Sequence, residues 1–274
     1  MLFLTSMNPR LLSLYGERFL DEFEEFADTE LQLLNIFEGE VPSSIQNKYK
    51  KIKSKSLISA KHDDFLKKYK QFYQANGYKI THQLNNLTNQ IDFSINMDYR
   101  FDAIRFSFKI FSIDYCLNFL SGQNFLIWTD ADLRCLKKFK KSDLLSFMPE
   151  KDQLMSYLGR TFKPKNPPDA EPYSECGFLG FNLQHPSFIN FIERMVEIYS
   201  TGELFTFKEW HDSWIWDRAR EEFENKNIKF KNISGKFENS HHPFINTGLG
   251  KFFDHLKGPK RKLNGHSSKS DYHS

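Results

Sequence analysis

Two carboxylates one residue apart, Asp130 and Asp132, close an uncharged run formed by Phe125, Leu126, Ile127, Trp128 and Thr129. A continuous apolar run of this length reads as a strand covered on both faces. Carboxylates at its C-terminal edge can meet on one hard divalent cation, Mg²⁺ or Mn²⁺, which takes oxygen ligands and commonly keeps a diphosphate as co-ligand. Asp is also an ordinary turn residue after a strand. What favours chemistry here is the abrupt passage from four large apolar side chains to two charges. Cations cluster elsewhere: nine Lys in residues 48–70, interleaved with Tyr49, Ile52, Leu57, Ile58, Phe65 and Tyr69, and the run Lys260, Arg261, Lys262.

The elements that must position these groups follow from periodicity. Residues 2–5 are apolar and give way to the turn Ser6, Met7, Asn8, with Pro9 suited to the first position of a helix that runs to about residue 26. Residues 31–37 form a second buried-strand pattern, so the first forty residues read as a βαβ unit, which places functional loops at the C-terminal ends of parallel strands. Thr5 and Asn8 fall on the first such loop. Residues 38–97 are polar and Lys-rich and read as an insertion with one helix near 65–75. In residues 98–119, Phe101, Ile104, Phe108, Phe111 and Tyr115 recur at helical steps as one apolar stripe. Arg105 and Lys109, four apart, then share a different, polar face.

Strands are expected at 154–158 and 176–181, separated by a loop containing Pro164, Pro167, Pro168 and Pro172, and helices at 186–199 and 207–223. The expected fold class is α/β: one domain over residues 1–263, with a central mostly parallel sheet flanked by helices. Residues 264–274, rich in Ser, His and Lys, are expected to be a disordered tail.

Composition narrows the function classes. With 38 Lys and Arg against 35 Asp and Glu the formal charge is +3, too small for a general nucleic-acid field. Three widely spaced cysteines, Cys116, Cys135 and Cys176, suggest neither a disulfide framework nor a zinc site, and a reducing, cytoplasmic setting is expected. No apolar run approaches a membrane span. Aromatics make up 16 % of the chain, dominated by 29 Phe, enough to fill a core and still line a sugar or base pocket.

The strand ending in Asp-x-Asp, with the pattern around it over most of the chain, resembles glycosyltransferases of the GT-A fold, a Rossmann-like architecture. That resemblance implies a nucleotide-sugar donor, an acceptor hydroxyl on a glycan, lipid-linked or protein acceptor, and bound Mn²⁺ or Mg²⁺. Asp132 would be the more direct metal ligand, and Asp130 would contact the ribose or the metal.

The segment from Asp254 to Lys262 resembles the H-x-x-G-x-x-K element of retaining transferases such as glycogenin and lipopolysaccharide galactosyltransferases. It implies His255 as third metal ligand, with Gly258, Lys260 and Arg261 at the diphosphate. Arg261 stands where that element has Lys, and its Pro-Trp is absent. A guanidinium binds phosphate as well as an ammonium does.

The same resemblance makes Asp212, in Glu209-Trp210-His211-Asp212-Ser213, the acidic group beside the donor sugar, with His211 and Glu175 as further catalytic candidates. Thr5, Asn8, Arg105 and Lys109 would border the nucleotide. Two alternatives stand beside this reading. One is a haloacid-dehalogenase-like phosphatase using Asp130 and Asp132, although no later Gly-Asp-x-x-x-Asp follows. The other is a non-enzymatic module that uses residues 48–70 on an anionic or membrane surface.

Overall fold

The chain opens on β1 (Leu2–Met7), and Asn8 ends it by accepting a hydrogen bond from the Leu11 amide at 2.9 Å, capping a helical segment that starts at Pro9. That segment widens into a π-turn at Leu12–Gly16 and continues as the helix Glu17–Phe26. It returns the chain to β2 (Gln32–Phe37), parallel to β1 with Thr5 opposite Asn35. A computed structural model describes residues 1–85, 90–163 and 171–272 of this chain.

The remaining strands are β3 (Ile52–Ser56), β4 (Tyr78–Asn85), β5 (Gln90–Met97), β6 (Phe125–Thr129), β7 (Leu133–Cys135), β8 (Gln153–Leu158), β9 (Glu175–Asn182), β10 (Lys229–Asn232) and β11 (Phe253–His255). Seven of them form one sheet in the order β10-β8-β9-β6-β1-β2-β3. β9 is antiparallel to both its neighbours, β6 and β8, and the other pairings are parallel. The α/β class with a mostly parallel central sheet and flanking helices is therefore what the chain adopts.

The two-residue period of the strands decides the two cores. Leu2, Leu4, Leu34, Leu126, Trp128 and Phe181 face the helices Ala103–Cys116, Phe188–Ser200 and Asp212–Glu224. Phe3, Leu33, Phe37, Ile127 and Phe178 face the N-terminal helix and the region around Phe244 and Phe253. All eight residues of β9 are buried, as a strand covered on both faces requires.

Several expectations need correcting. Residues 38–97 are not wholly an insertion: β3 is the edge strand of the main sheet, and the helix Ala60–Tyr69, earlier than expected, packs on Ala103–Cys116. Only β4 and β5 stand apart as a hairpin. Helix Asp212–Glu224 starts later than expected because His211 caps it through Nδ1. The helix Ala103–Cys116 is buried on more than one side, and Lys109 is buried while Arg105 is not, so the two do not share a polar face. The C-terminal residues do not trail off: Ser267 and Asp271 are buried, Ser267 donates from its amide and hydroxyl to Asp254, and Arg261 pairs with Asp271. Of the expected proline loop, Pro164, Pro167 and Pro168 lie outside the described residues.

One buried titratable group gives the fold a pH signature. His62 lies between Phe108 and Phe111 at centroid distances of 4.5 and 4.7 Å. Its Nε2 is 2.9 Å from Ser107 Oγ, whose proton goes to the Ile104 carbonyl, so His62 carries hydrogen on Nε2 and is the donor. Burial lowers its pKa to about 4. The unfolded chain, with an ordinary imidazole near 6.5, binds a proton that the fold refuses between pH 6.5 and 4. Stability is full above about pH 6.5 and falls as pH drops, by about 3 kcal/mol at pH 4 from this residue. Urea unfolding across that range should show a shallower decline in His62→Gln; an identical decline would assign the proton elsewhere.

Candidate metal centre

Asp130 follows β6 directly. Its amide donates to the Gly177 carbonyl of β9 at 3.2 Å, and its Oδ1 accepts from Trp128 Nε1 at 2.8 Å. Asp132 lies two residues on, in the turn immediately before β7. The C-terminal segment then returns: β11 pairs antiparallel with β7, setting His255 opposite Leu133, and the Leu256 amide donates to the Asp132 carbonyl at 3.1 Å. This pairing carries His255 across more than a hundred residues of sequence to the Asp-x-Asp.

His255 Nε2 comes within 3.2 Å of Asp132 Oδ1 and 3.9 Å of Asp130 Oδ2. One ligand atom from each of Asp130, Asp132 and His255 lies within 4.8 Å of the others. Asp132 Oδ1 is buried and has no hydrogen-bond partner. A buried carboxylate oxygen that accepts no well-formed hydrogen bond, beside a second carboxylate and an imidazole, fits a divalent cation. The oxygen ligands suit Mg²⁺ or Mn²⁺, and the nitrogen favours Mn²⁺ of the two.

The cluster is held in a lattice of cations. Lys109, only 7 % exposed, places Nζ at 2.9 Å from Asp130 Oδ1, 2.5 Å from Asp212 Oδ2 and 2.9 Å from the Cys176 carbonyl. Burial alone would lower its pKa, but the two carboxylates more than reverse this and keep it charged. Lys262 Nζ is 2.6 Å from Asp132 Oδ2 and lies over the Tyr15 ring. Burial works against ionisation of Asp132, yet His255 and Lys262 hold it well below the usual carboxylate range. His255 is the reverse case: Asp132 and Glu175 overcome burial and raise it.

Behind His255 lies Glu175, whose Oε1 is 3.5 Å from His255 Nδ1 and whose Oε2 meets Arg160 at 2.8 Å and also pairs with Lys257. Burial would raise this carboxyl, but Lys257, His255 and Arg160 hold it far down. It is placed to orient the imidazole, as carboxylates behind metal-bound histidines do. Gly177 leaves room for that ring: a Cβ there would lie 2.6 Å from His255 Cε1 and 2.8 Å from Nδ1. Gly177→Ala should therefore displace His255 and weaken Mn²⁺ binding by about 10–100-fold, read by calorimetry. Unchanged affinity would remove His255 from the ligand set.

The other expected residues divide. Asp212 joins the centre through Lys109. His211 does not reach it: Nε2 bonds Glu209 at 2.8 Å and Nδ1 caps the following helix, so both ring nitrogens are engaged. Thr5 is not on a loop but inside β1, fully buried. Asn8 is engaged with Leu11 and with Glu38 at 3.1 Å. Arg105 pairs with Asp102 at 3.4 Å on a half-exposed stretch of helix.

Gly258, at φ +83°, turns the chain into the helix Pro259–Asn264. Within that helix Lys260 is exposed and Arg261 is turned to Asp271 and the Lys257 carbonyl, so Lys262 is the cation at the Asp-x-Asp. Sequence reasoning missed Lys262, Lys257 and Arg160. Lys262 was present in the basic run, but nothing in the run tells which of three adjacent cations faces inward.

No family model matches the sequence, and no curated protein matches it. Solved structures are similar to the chain in trace at low identity, among them the following three. The chain resembles mouse xyloside xylosyltransferase 1 in its apo form, with 12 % identity over 84 % of this chain and 83 % of that one and a TM-score of 0.46. It resembles a glycosyltransferase involved in glycosylation of the major capsid of PBCV-1, with 9 % identity, 96 % and 97 % coverage and a TM-score of 0.47. It also resembles the galactosyltransferase LgtC in complex with donor and acceptor sugar analogues, with 12 % identity, 94 % and 88 % coverage and a TM-score of 0.49.

Proposed function

We propose that the chain is a metal-dependent glycosyltransferase that moves a sugar from a nucleoside-diphosphate donor to an acceptor hydroxyl. The observation that carries this reading is the convergence of Asp130, Asp132 and His255 at the end of a central strand, with Lys257 and Lys262 beside them. Asp130, Asp132 and His255 would hold Mn²⁺ or Mg²⁺, which when bound neutralises charge on the leaving diphosphate. Lys262, on a flexible stem at the rim, is able to exchange Asp132 for a phosphate oxygen. Lys257 adds a second positive charge on the same side. Asp212 shares the Lys109 ammonium with Asp130, which sets its carboxylate next to the ligand cluster, where the transferring sugar would lie.

A phosphatase reading needs Asp130 as a nucleophile, but one of its oxygens accepts from Trp128 and faces Lys109. Among the described residues no helix is long and apolar enough to cross a membrane. The exposed lysines of residues 48–70 would serve acceptor or membrane-surface docking, tested by vesicle binding after Lys50→Glu and Lys53→Glu, since Lys51 holds the Glu24 and Ala27 carbonyls.

The reading is tested by thermal shift with nucleoside diphosphates, with and without Mn²⁺. A ligand at a hundred times its Kd stabilises by about 2.7 kcal/mol, which for a chain of this size raises Tm by roughly 5 °C or more. The shift should need metal and diphosphate together. No shift with any nucleoside diphosphate in the presence of Mn²⁺ or Mg²⁺ removes the proposal.

A further inference from the structure

A cavity of about 570 Å³ opens at the base of the β4–β5 hairpin, bounded by Tyr73, Gln74, Tyr78, Lys79, Phe101 and Trp210. Its size lies within the range of small-molecule sites, about 300–1,000 Å³. Four of these residues are aromatic, and Tyr73 and Tyr78 leave 45 % and 44 % of their surface open.

Trp210 is fixed as a wall. Its amide donates to the Arg100 carbonyl at 2.7 Å, its Nε1 donates to the Phe207 carbonyl at 3.1 Å, and its ring packs edge-on against Phe101 and Phe205. The turn at Gly77 (φ +79°) is forced, since a Cβ there would lie 2.9 Å from the Asp98 carbonyl.

One wall of the cavity is joined along the chain to a carboxylate that shares Lys109 with the metal centre. Trp210 is two residues before Asp212, and Tyr99, beside Phe101, meets Tyr173 hydroxyl to hydroxyl at 2.6 Å. Tyr173 in turn packs on His211 at 4.5 Å.

We infer that this cavity is the acceptor site and that its occupant is a saccharide, one or two sugar rings in length. The inference rests on the transferase reading for its catalytic meaning, and on the cavity alone for its chemistry. A pyranose has an apolar C–H face and a hydroxyl rim. Flat aromatic walls take the first, while the tyrosine hydroxyls, the Gln74 amide and the Lys79 ammonium, at the mouth, take the second. On the transferase reading the donor is held elsewhere, by its diphosphate.

The test is saturation-transfer NMR and calorimetry of the full chain with lactose, maltose, cellobiose and chitobiose. The comparison variants are Tyr78→Ala and Tyr73→Ala, whose exposed rings leave the fold intact. At least one saccharide should bind, and each variant should weaken it about tenfold by removing a stacking face. Mn²⁺-dependent nucleoside-diphosphate binding should be unchanged in the same variants. If none of the four binds, or if the variants bind equally well, the assignment is wrong. Tyr78-dependent binding to anionic phosphatidylserine vesicles without saccharide binding would also overturn it, making the hairpin a lipid surface. Loss of nucleotide binding in the unmodified chain would instead refute the transferase reading while leaving saccharide binding measurable.

Discussion

Asp132→Asn is expected to reduce metal-dependent sugar transfer by about a thousandfold, the order lost when a principal electrostatic contact to the leaving group is removed. The protein should remain folded. The amide keeps the shape of the carboxylate, Lys262 is a third exposed and can turn to solvent, and His255 can give up its proton once its partner is uncharged. The lost function would therefore be specific: one of the two carboxylates becomes neutral, and a bound divalent cation would lose the ligand that the neighbouring cations hold most firmly ionised. Calorimetric titration of Mn²⁺ with a nucleoside diphosphate should lose its metal-dependent heat while thermal unfolding stays cooperative. Full transfer activity in this variant would take away the basis of the assignment.

What could be read from the sequence was what the chain does locally. The apolar run before Asp130 identified β6 because a strand covered on both faces must be continuously apolar, and Pro9 marked the helix start because its fixed φ suits the first helical position. β3 was not legible, because an edge strand buries little: of Ile52, Lys53, Ser54, Lys55 and Ser56 only the first is buried. Lys109 was misread for the opposite reason. A stripe of apolar residues shows which face of a helix is buried but not whether another face is buried too, and Lys109 enters the interior to meet two carboxylates from distant elements. His255 was found by the resemblance of its segment to the H-x-x-G-x-x-K element, yet the reason it reaches Asp132 is the β7–β11 pairing, two three-residue strands too short to carry a periodic signal. The tail is ordered by Arg261 with Asp271 and Ser267 with Asp254, polar contacts that hydrophobic patterning does not detect.

Lys109→Met should be the most destabilising single substitution at the centre. Methionine fills the volume of the lysine stem but removes the ammonium shared by Asp130, Asp212 and the Cys176 carbonyl. Two neighbouring carboxylates are then left without their common counter-charge, and breaking a buried pair in this way costs about 3–5 kcal/mol. For a chain of this length that corresponds to a fall in Tm of roughly 10 °C. The sign of the pH dependence distinguishes this mechanism from simple loss of packing. Without Lys109 the carboxylates in the fold titrate above their unfolded values, so the penalty is complete at high pH and shrinks as pH falls and they become protonated. A packing defect would be the same at every pH. Mn²⁺ supplies positive charge to the same cluster, so it should raise the Tm of Lys109→Met more than that of the unmodified chain. Equal stability of the two proteins at pH 8, or equal response to Mn²⁺, would mean that the Lys109 ammonium does not bridge Asp130 and Asp212 in solution.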